Sequence, residues 1–248
     1  MADYRNDMAR FGTTASRADA DIDQGLRAYM LRVYNYMAIA LAVTGIAALA
    51  TYNMAVSGGQ LTPFGVAIYT SALKWVVMLA PLALVFFLSF RIQSMSVGAA
   101  QATFWIYSAL VGVSLSTIFL VFTATSITQT FFVTAAAFGS LSLYGYTTKR
   151  DLSAMGSFLI MGLFGLIIAM LVNFFLQSSA LQFAISAIGV LIFAGLTAWD
   201  TQKIRGMYDY VAHDETMMGR AAIMGALNLY LDFINLFMFL LQFLGNRE

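Results

Sequence analysis

Seven long apolar segments dominate this chain of 248 residues and decide what it can fold into. They cover residues 30–52, 72–90, 97–122, 129–147, 155–176, 181–200 and 224–244. Each is close to the roughly 20 residues that a helix needs to cross a bilayer. Only 10% of the residues are charged, whereas a soluble domain has about 25%. Because no water satisfies backbone groups inside a bilayer, the segments predict an all-α integral membrane protein with seven transmembrane helices.

Residues 1–28 differ from the rest, because arginines and aspartates are intermixed there with few large apolar residues. Such a composition does not form a core of its own. We therefore expect a flexible cytoplasmic N-terminal tail at 1–28 and a seven-helix transmembrane domain at 29–248. The polar start also predicts that no signal peptide is cleaved. A net charge of +1 gives no reason to expect a nucleic-acid partner.

The positive charges predict the orientation of the helices. Of the 13 Lys and Arg residues, two, Lys74 and Arg247, fall on the side opposite the tail, which leaves eleven on the side of the tail. Positively charged loops stay in the cytoplasm. We therefore expect a cytoplasmic N-terminus and, after an odd number of helices, a C-terminus outside.

Two aspartates stand out against the apolar background. Asp232 lies inside the seventh segment, where a carboxylate costs roughly 2.5–3.5 kcal/mol on insertion scales, and Asp200 ends the sixth. Together they predict a site that handles protons or cations. Two simpler interpretations stay open. Asp232 as a neutral acid would only join helices through hydrogen bonds, and Asp200 would only mark the membrane interface, since Lys203 follows it.

Polar residues continue along both helices. At about 100° per residue, one stripe of the seventh helix contains Asn228, Asp232, Asn235 and Gln242. Phe239 lies on the same stripe and is a candidate apolar plug. The comparable stripe of the sixth helix contains Ser186, Gly189, Phe193, Thr197 and Asp200. Lipid does not tolerate such faces. We therefore expect one path, with these pore-lining candidates: Asn228, Asn235, Phe239, Gln242, Thr197 and Phe193.

A close pair of aspartates would act as a pH sensor. Two like charges in a poorly solvated site do not both ionise cheaply, so Asp200 and Asp232 would share a proton and titrate together. Arg91, at the end of the second helix, is the candidate latch, since a guanidinium binds a carboxylate bidentately; its alternative role is a cytoplasmic anchor. The two aspartates would also bind calcium weakly and transiently, because calcium prefers more oxygen ligands than they offer.

Several classes of protein are excluded by missing motifs. The chain has no cysteine, no HExxH, no GxSxG and no P-loop, and the seventh helix has no lysine for a retinal Schiff base. We therefore expect no enzyme, no cofactor and no nucleotide-driven transport. Calcium would be only a permeating ion.

One small-residue face indicates a close helix contact. Ser108, Gly112 and Ser116 recur every four residues on the third helix. Such a face lets two helices approach closely. It fits either a dimer seam or, by the simpler interpretation, a contact inside the bundle.

Three stretches of the chain resemble the Bax inhibitor-1 family, the transmembrane Bax inhibitor motif proteins, in its bacterial branch. They are residues 143–153 (LYGYTTKRDLS), 199–204 (WDTQKI) and 229–237 (LYLDFINLF). The resemblance covers about residues 26–245 and leaves the N-terminal tail outside.

The resemblance implies a seven-helix fold in which the last helix is central and wrapped by the other six. It implies a pH-sensitive calcium leak channel in the bacterial plasma (inner) membrane, gated by Asp200 and Asp232 with Arg91 as the latch. The stretch FRIQ around Arg91 replaces the run of basic residues that relatives often have. The expected partners are calcium ions, protons and the lipid bilayer.

Two other functions stay open. A buried acid pair serves a proton-coupled secondary transporter equally well. The family also includes regulators of membrane proteases and of cell death, so a non-transporting regulator of a protease or stress response, with a membrane-protein partner, is the third alternative.

The predicted orientation is testable because the chain has no cysteine of its own. We expect a single cysteine at Ala180 to react with a membrane-impermeant thiol reagent added to spheroplasts. A cysteine at Ser94 should react only in inverted vesicles. The reverse pattern would place the N-terminus outside.

Overall fold

The computed structural model describes the backbone of residues 2–246 and the side chains of residues 24–246. Its helices are α1 Ala2–Ala55, α2 Pro63–Tyr69, α3 Leu73–Arg91, α4 Val97–Leu115, α5 Ala124–Thr147, α6 Ser153–Leu176, α7 Ser179–Val211 and α8 Glu215–Leu244. A two-stranded antiparallel hairpin, Val56–Ser57 with Gln60–Leu61, follows α1, and short 3₁₀ turns extend α3 and α4 at Ile92–Ser94 and Ser116–Leu120.

Seven of the helices within this described part, all except α2, are long and apolar enough to cross a membrane. This confirms the all-α fold with seven transmembrane helices. The predicted tail, residues 1–28, lies mostly outside the described side chains, and its flexibility stays a prediction. The helices α7 and α8 are longer than their apolar segments, because hydropathy marks only the part in lipid while the charged turns beyond it remain helical.

Short polar side chains set where the helices begin. Each accepts a hydrogen bond from a backbone N–H of the first turn, which has no partner within the helix. The capping residues are Thr62 for α2, Ser96 for α4, Thr123 for α5, Ser178 for α7 and Asp214 for α8. At the other end of α6, Gln177 adopts a left-handed conformation with φ 50° and reverses the chain into α7.

The last helix is the most buried of the seven. In α8, 61% of the apolar window lies inside the bundle, against 6% in α6. α8 packs on α7, α1, α5 and α4, while α6 packs chiefly on α7 and α3 on α4. The wrapping of the last helix by all six others stays a prediction.

The small-residue face of α4 is used inside the bundle. Ser108 and Ser116 are fully buried, and a Cβ at Gly112 would collide with the backbone of Thr44 on α1. The Thr44 hydroxyl lies 2.9 Å from the Ser108 carbonyl oxygen and 2.7 Å from the Tyr230 hydroxyl of α8. The face therefore joins α4 to α1 and α8, as the simpler interpretation predicts.

Two glycines of α5 provide a matched test of helix packing. A Cβ at Gly145 would collide with the backbone carbonyl of Ala198 on α7, whereas one at Gly139 meets nothing within 4 Å. We expect Gly145→Ala to lower stability by about 1–3 kcal/mol, as overpacking does. Gly139→Ala should be neutral or stabilising by up to about 1 kcal/mol, because alanine favours helix. Thermal unfolding in detergent compares them, and equal melting temperatures would contradict the contact.

Candidate functional site

A cavity of about 680 Å³ lies where α6, α7 and α8 meet. The wall from α6 is entirely apolar, while α7 and α8 supply the polar side chains. The lining residues of α6 are Ile160, Leu163, Leu166, Ile167 and Met170; those of α7 are Phe193, Leu196, Trp199, Asp200 and Lys203; those of α8 are Asn228, Leu231, Asp232, Asn235, Met238, Phe239 and Gln242. The cavity therefore collects the predicted stripe of α8 on one surface and, from the predicted stripe of α7, Phe193 and Asp200.

The two aspartates meet in this cavity. The carboxyl groups of Asp200 and Asp232 lie within hydrogen-bonding reach of each other. Asp232 is only 4% exposed, and its Oδ2 atom has no hydrogen-bond partner among the described residues. An ionised carboxylate only accepts hydrogen bonds, so a bond between two carboxyls needs one shared proton. A hydrogen bond across this contact would therefore require the pair to carry one proton.

The cation beside the pair is Lys203. It is exposed, lines the cavity and interacts electrostatically with both carboxyls. Its Nζ atom also lies 5.0 Å from the centre of the Trp199 ring, a distance typical of cation–π contacts. The sequence contains the signal for this role, because Lys203 follows Asp200 by three residues and so shares its helix face.

Arg91 lies elsewhere in this conformation. It is exposed at the end of α3, which packs on α4, and it does not line the cavity. The structure therefore does not bring the predicted latch to the aspartates. A latch at Arg91 requires α3 to move toward α7 and α8, and it stays a prediction.

Five of the six pore-lining candidates face the cavity: Asn228, Asn235, Phe239, Gln242 and Phe193. Thr197 does not. It is fully buried, and its hydroxyl donates to the Phe193 carbonyl oxygen at 2.7 Å. The cavity face of α7 is rotated toward Leu196 and Lys203, which leaves Thr197 about 100° from its centre.

Phe193 and Phe239 contact each other in the lining of the cavity. Their rings stack with centroids 5.8 Å apart and an interplanar angle of 24°. A Cβ at Gly189 would lie 2.6 Å from the Phe239 ring. Only glycine therefore admits this ring between α7 and α8, in the position predicted for an apolar plug.

A side-chain amide of α7 that the stripes did not include binds a residue of the cavity lining. The Nε2 atom of Gln182 donates to Oε1 of Gln242 at 2.8 Å, and Asn173 of α6 donates to Gln182 at 3.0 Å. Gln182 lies about five helical turns before Asp200 and so on the same face, which is the signal that could have found it.

The first two stretches of the family resemblance bind each other. Gln202 accepts from the Leu152 N–H at 2.9 Å and donates to the Arg150 carbonyl oxygen at 2.8 Å. Arg205 donates to the Tyr146 carbonyl oxygen at 2.8 Å. These bonds hold the turn between α5 and α6 against α7, the helix that also carries Asp200.

The two aspartates are the only acidic side chains among the described residues that line the cavity. Among the described residues, no group of three or more His, Cys, Asp or Glu side chains could hold a metal ion. Calcium takes six to eight oxygen ligands, so two carboxyls would give it at most a weak site.

Comparison with known proteins agrees with the resemblance carried by the three stretches. The family model described as "Inhibitor of apoptosis-promoting Bax1" matches residues 26–248. The uncharacterized protein RP147 of Rickettsia prowazekii (strain Madrid E) is 49% identical over the whole of both chains. A Caulobacter vibrioides protein is 46% identical, also over the whole of both chains.

A third relative is named for its location. The inner membrane protein YbhL of Escherichia coli (strain K12) is 48% identical over 90% of this chain and 94% of its own length. With seven apolar helices, this similarity supports a multi-pass protein of the inner membrane. The chain thus belongs to the Bax inhibitor-1 family, as its three characteristic stretches predict.

Proposed function

We propose that this protein is a pH-sensitive, calcium-permeable leak channel, gated by Asp200 and Asp232. The observation that carries the proposal is the contact of the two carboxyls in a cavity between membrane-spanning helices. Membership of the Bax inhibitor-1 family supports it. A contact that needs a proton couples the geometry of α7 and α8 directly to pH.

The gate follows from the charge of the pair. With one shared proton, the pair carries a single negative charge and joins α7 to α8. When that proton leaves, two carboxylates face each other at short range, and their repulsion disfavours the contact. Loss of the proton would therefore loosen this seam and free carboxylate oxygens for a passing cation.

Calcium would bind at this site only weakly and transiently. Two carboxylates together with the amide oxygens of Asn228 and Asn235, which line the same cavity, supply fewer ligands than calcium prefers. A pore needs a site that an ion both enters and leaves. The incomplete ligand set suits permeation better than storage.

Lys203 and Arg91 would act at different stages. Lys203 already lies beside the pair and would neutralise part of the charge that appears when the proton leaves. Arg91 would reach the carboxylates only after α3 moves from its place on α4. In the proposed cycle, Lys203 tunes the sensor and Arg91 latches a second conformation.

Neutral replacements of the aspartates test the gate. We expect Asp232→Asn and Asp200→Asn each to remove the pH dependence of calcium flux into liposomes, because an amide cannot release the proton that holds the pair. Exposed Asp151→Asn is the matched control and should keep the wild-type profile. An unchanged profile in both aspartate variants would show that the pair is not the sensor.

The same liposomes separate a channel from a transporter. A dye for internal pH measures proton movement alongside calcium. A channel should show no fixed ratio of protons to calcium, whereas a fixed ratio would favour a proton-coupled transporter.

The two cations give separate predictions. We expect Lys203→Met to move the midpoint of the pH response toward alkaline pH, because the ammonium stabilises the ionised pair. Arg91→Met should change the size of the flux and leave the midpoint in place. Lys149→Met, an exposed loop substitution, is the control. If the midpoint shifted in the Arg91 variant and not in the Lys203 variant, the two residues would have the opposite roles.

A further inference from the structure

Three side-chain amides from three helices form a continuous hydrogen-bonded chain, here called the amide ladder: Asn173 of α6, Gln182 of α7 and Gln242 of α8. Asn173 Nδ2 donates to Gln182 Oε1 at 3.0 Å, and Gln182 Nε2 donates to Gln242 Oε1 at 2.8 Å. The ladder lies at the end of the cavity opposite Lys203. It joins the same three helices that form the cavity walls.

Both ends of the ladder are anchored. Asn173 is only 8% exposed, and its Oδ1 atom accepts from the Ser178 N–H at 3.0 Å in the turn between α6 and α7. At the other end, the Ser186 hydroxyl lies 3.4 Å from Gln242 Oε1. A buried amide keeps such partners, because an unpaired one would be left without water. The ladder therefore fixes the spacing of α6, α7 and α8 at this end.

Along α8, the aromatic stack comes between the aspartates and the ladder, within the lining of one cavity. Gln242 lies ten residues beyond Asp232, about 15 Å along α8, and the stack of Phe239 on Phe193 lies between them. Lys203, at the other end of the cavity, is exposed. The described side chains thus place the exposed Lys203 on one side of the pair, and the aromatic stack and the ladder on the other.

The two ends of the cavity respond differently to protons. The carboxyl pair changes its charge with pH, whereas carboxamides carry no titratable proton in the physiological range. A barrier made of amides and phenyl rings therefore keeps its hydrogen bonds when the aspartates titrate. The charged groups that face the cavity are Asp200, Asp232 and Lys203, and all three belong to the other end.

We propose that the amide ladder is a second, proton-insensitive gate that closes the end of the cavity opposite Lys203, so that the aspartate pair exchanges protons and cations with one side of the membrane. This inference rests on the proposed function only in treating the cavity as a path. Opening the ladder would join the cavity to the side of the membrane on which the turn between α6 and α7 lies.

The test measures access to the cavity without measuring ion flux. Because the chain has no cysteine, a single Asn235→Cys substitution places one thiol between the aspartate pair and the aromatic stack. A membrane-impermeant thiol reagent is added from either side, to spheroplasts or to inverted vesicles. The labelling rate of the Asn235→Cys thiol from the ladder side is divided by that of an Ala180→Cys variant at the same pH. Its rate from the Lys203 side is divided by that of a Ser94→Cys variant.

With the ladder intact, we expect the Asn235→Cys thiol to react at least tenfold faster from the Lys203 side. Gln182→Leu removes the middle amide and should raise the ladder-side rate at least tenfold. Gln93→Leu makes the same change at an exposed position outside the cavity and should leave that rate unchanged.

Gln182→Glu preserves the shape and adds a reversible switch. At pH 8 the carboxylate still accepts from Asn173 but cannot donate to Gln242, so the thiol should react from the ladder side. At pH 5 a protonated carboxyl donates again, and the ladder-side rate should fall toward the wild-type value. This variant keeps the test decisive if Gln182→Leu does not fold.

Two outcomes would overturn the proposal. One is an equal rate from both sides while the ladder is intact. The other is an unchanged ladder-side rate in both Gln182 variants. Absence of calcium flux in liposomes would count against the proposed leak channel but not against the ladder, because labelling reports closure alone.

Discussion

The bilayer's lack of water is the constraint on which the rest of this structure depends. A polar group in the hydrocarbon region must find its partner within the protein. The seam between α7 and α8 brings such groups together in two places: the carboxyls of Asp200 and Asp232 lie close to each other, and Gln182 binds Gln242. Because each group depends on another helix for its partner, the polar contacts also set how the helices are spaced.

The helices around this seam have unequal roles. α8 is held by α1, α4 and α5, and its Tyr230 hydroxyl is tied to Thr44. α6, by contrast, packs chiefly on α7 and supplies only apolar side chains to the cavity. One wall of the cavity therefore belongs to α8, which packs on several helices. The opposite wall belongs to α6, which packs chiefly on α7.

Much of this arrangement could be predicted from the sequence, because membrane helices and polar stripes leave a strong periodic signal. The seven helices and the polar face of α8 follow from that signal. It does not fix the rotation of one helix against its neighbour, which is why Thr197 was expected in the path but points away from the cavity. Contacts between distant segments leave no such signal, so the hydrogen-bond partner of Gln242 was found only in the structure. Lys203, by contrast, could have been found from its spacing to Asp200.

Because the protein buries little of α6, the shape of the cavity depends on the composition of the surrounding membrane. A helix tilts to match its apolar length to the thickness of the surrounding bilayer. α6 has 24 residues, and only 6% of its apolar window is buried by the protein, so lipid rather than protein surrounds most of its surface. A thicker or thinner bilayer would change its tilt and, with it, the width of the space before the aspartates. Lipid composition would then act on this protein as a mechanical input, alongside the chemical input of protons.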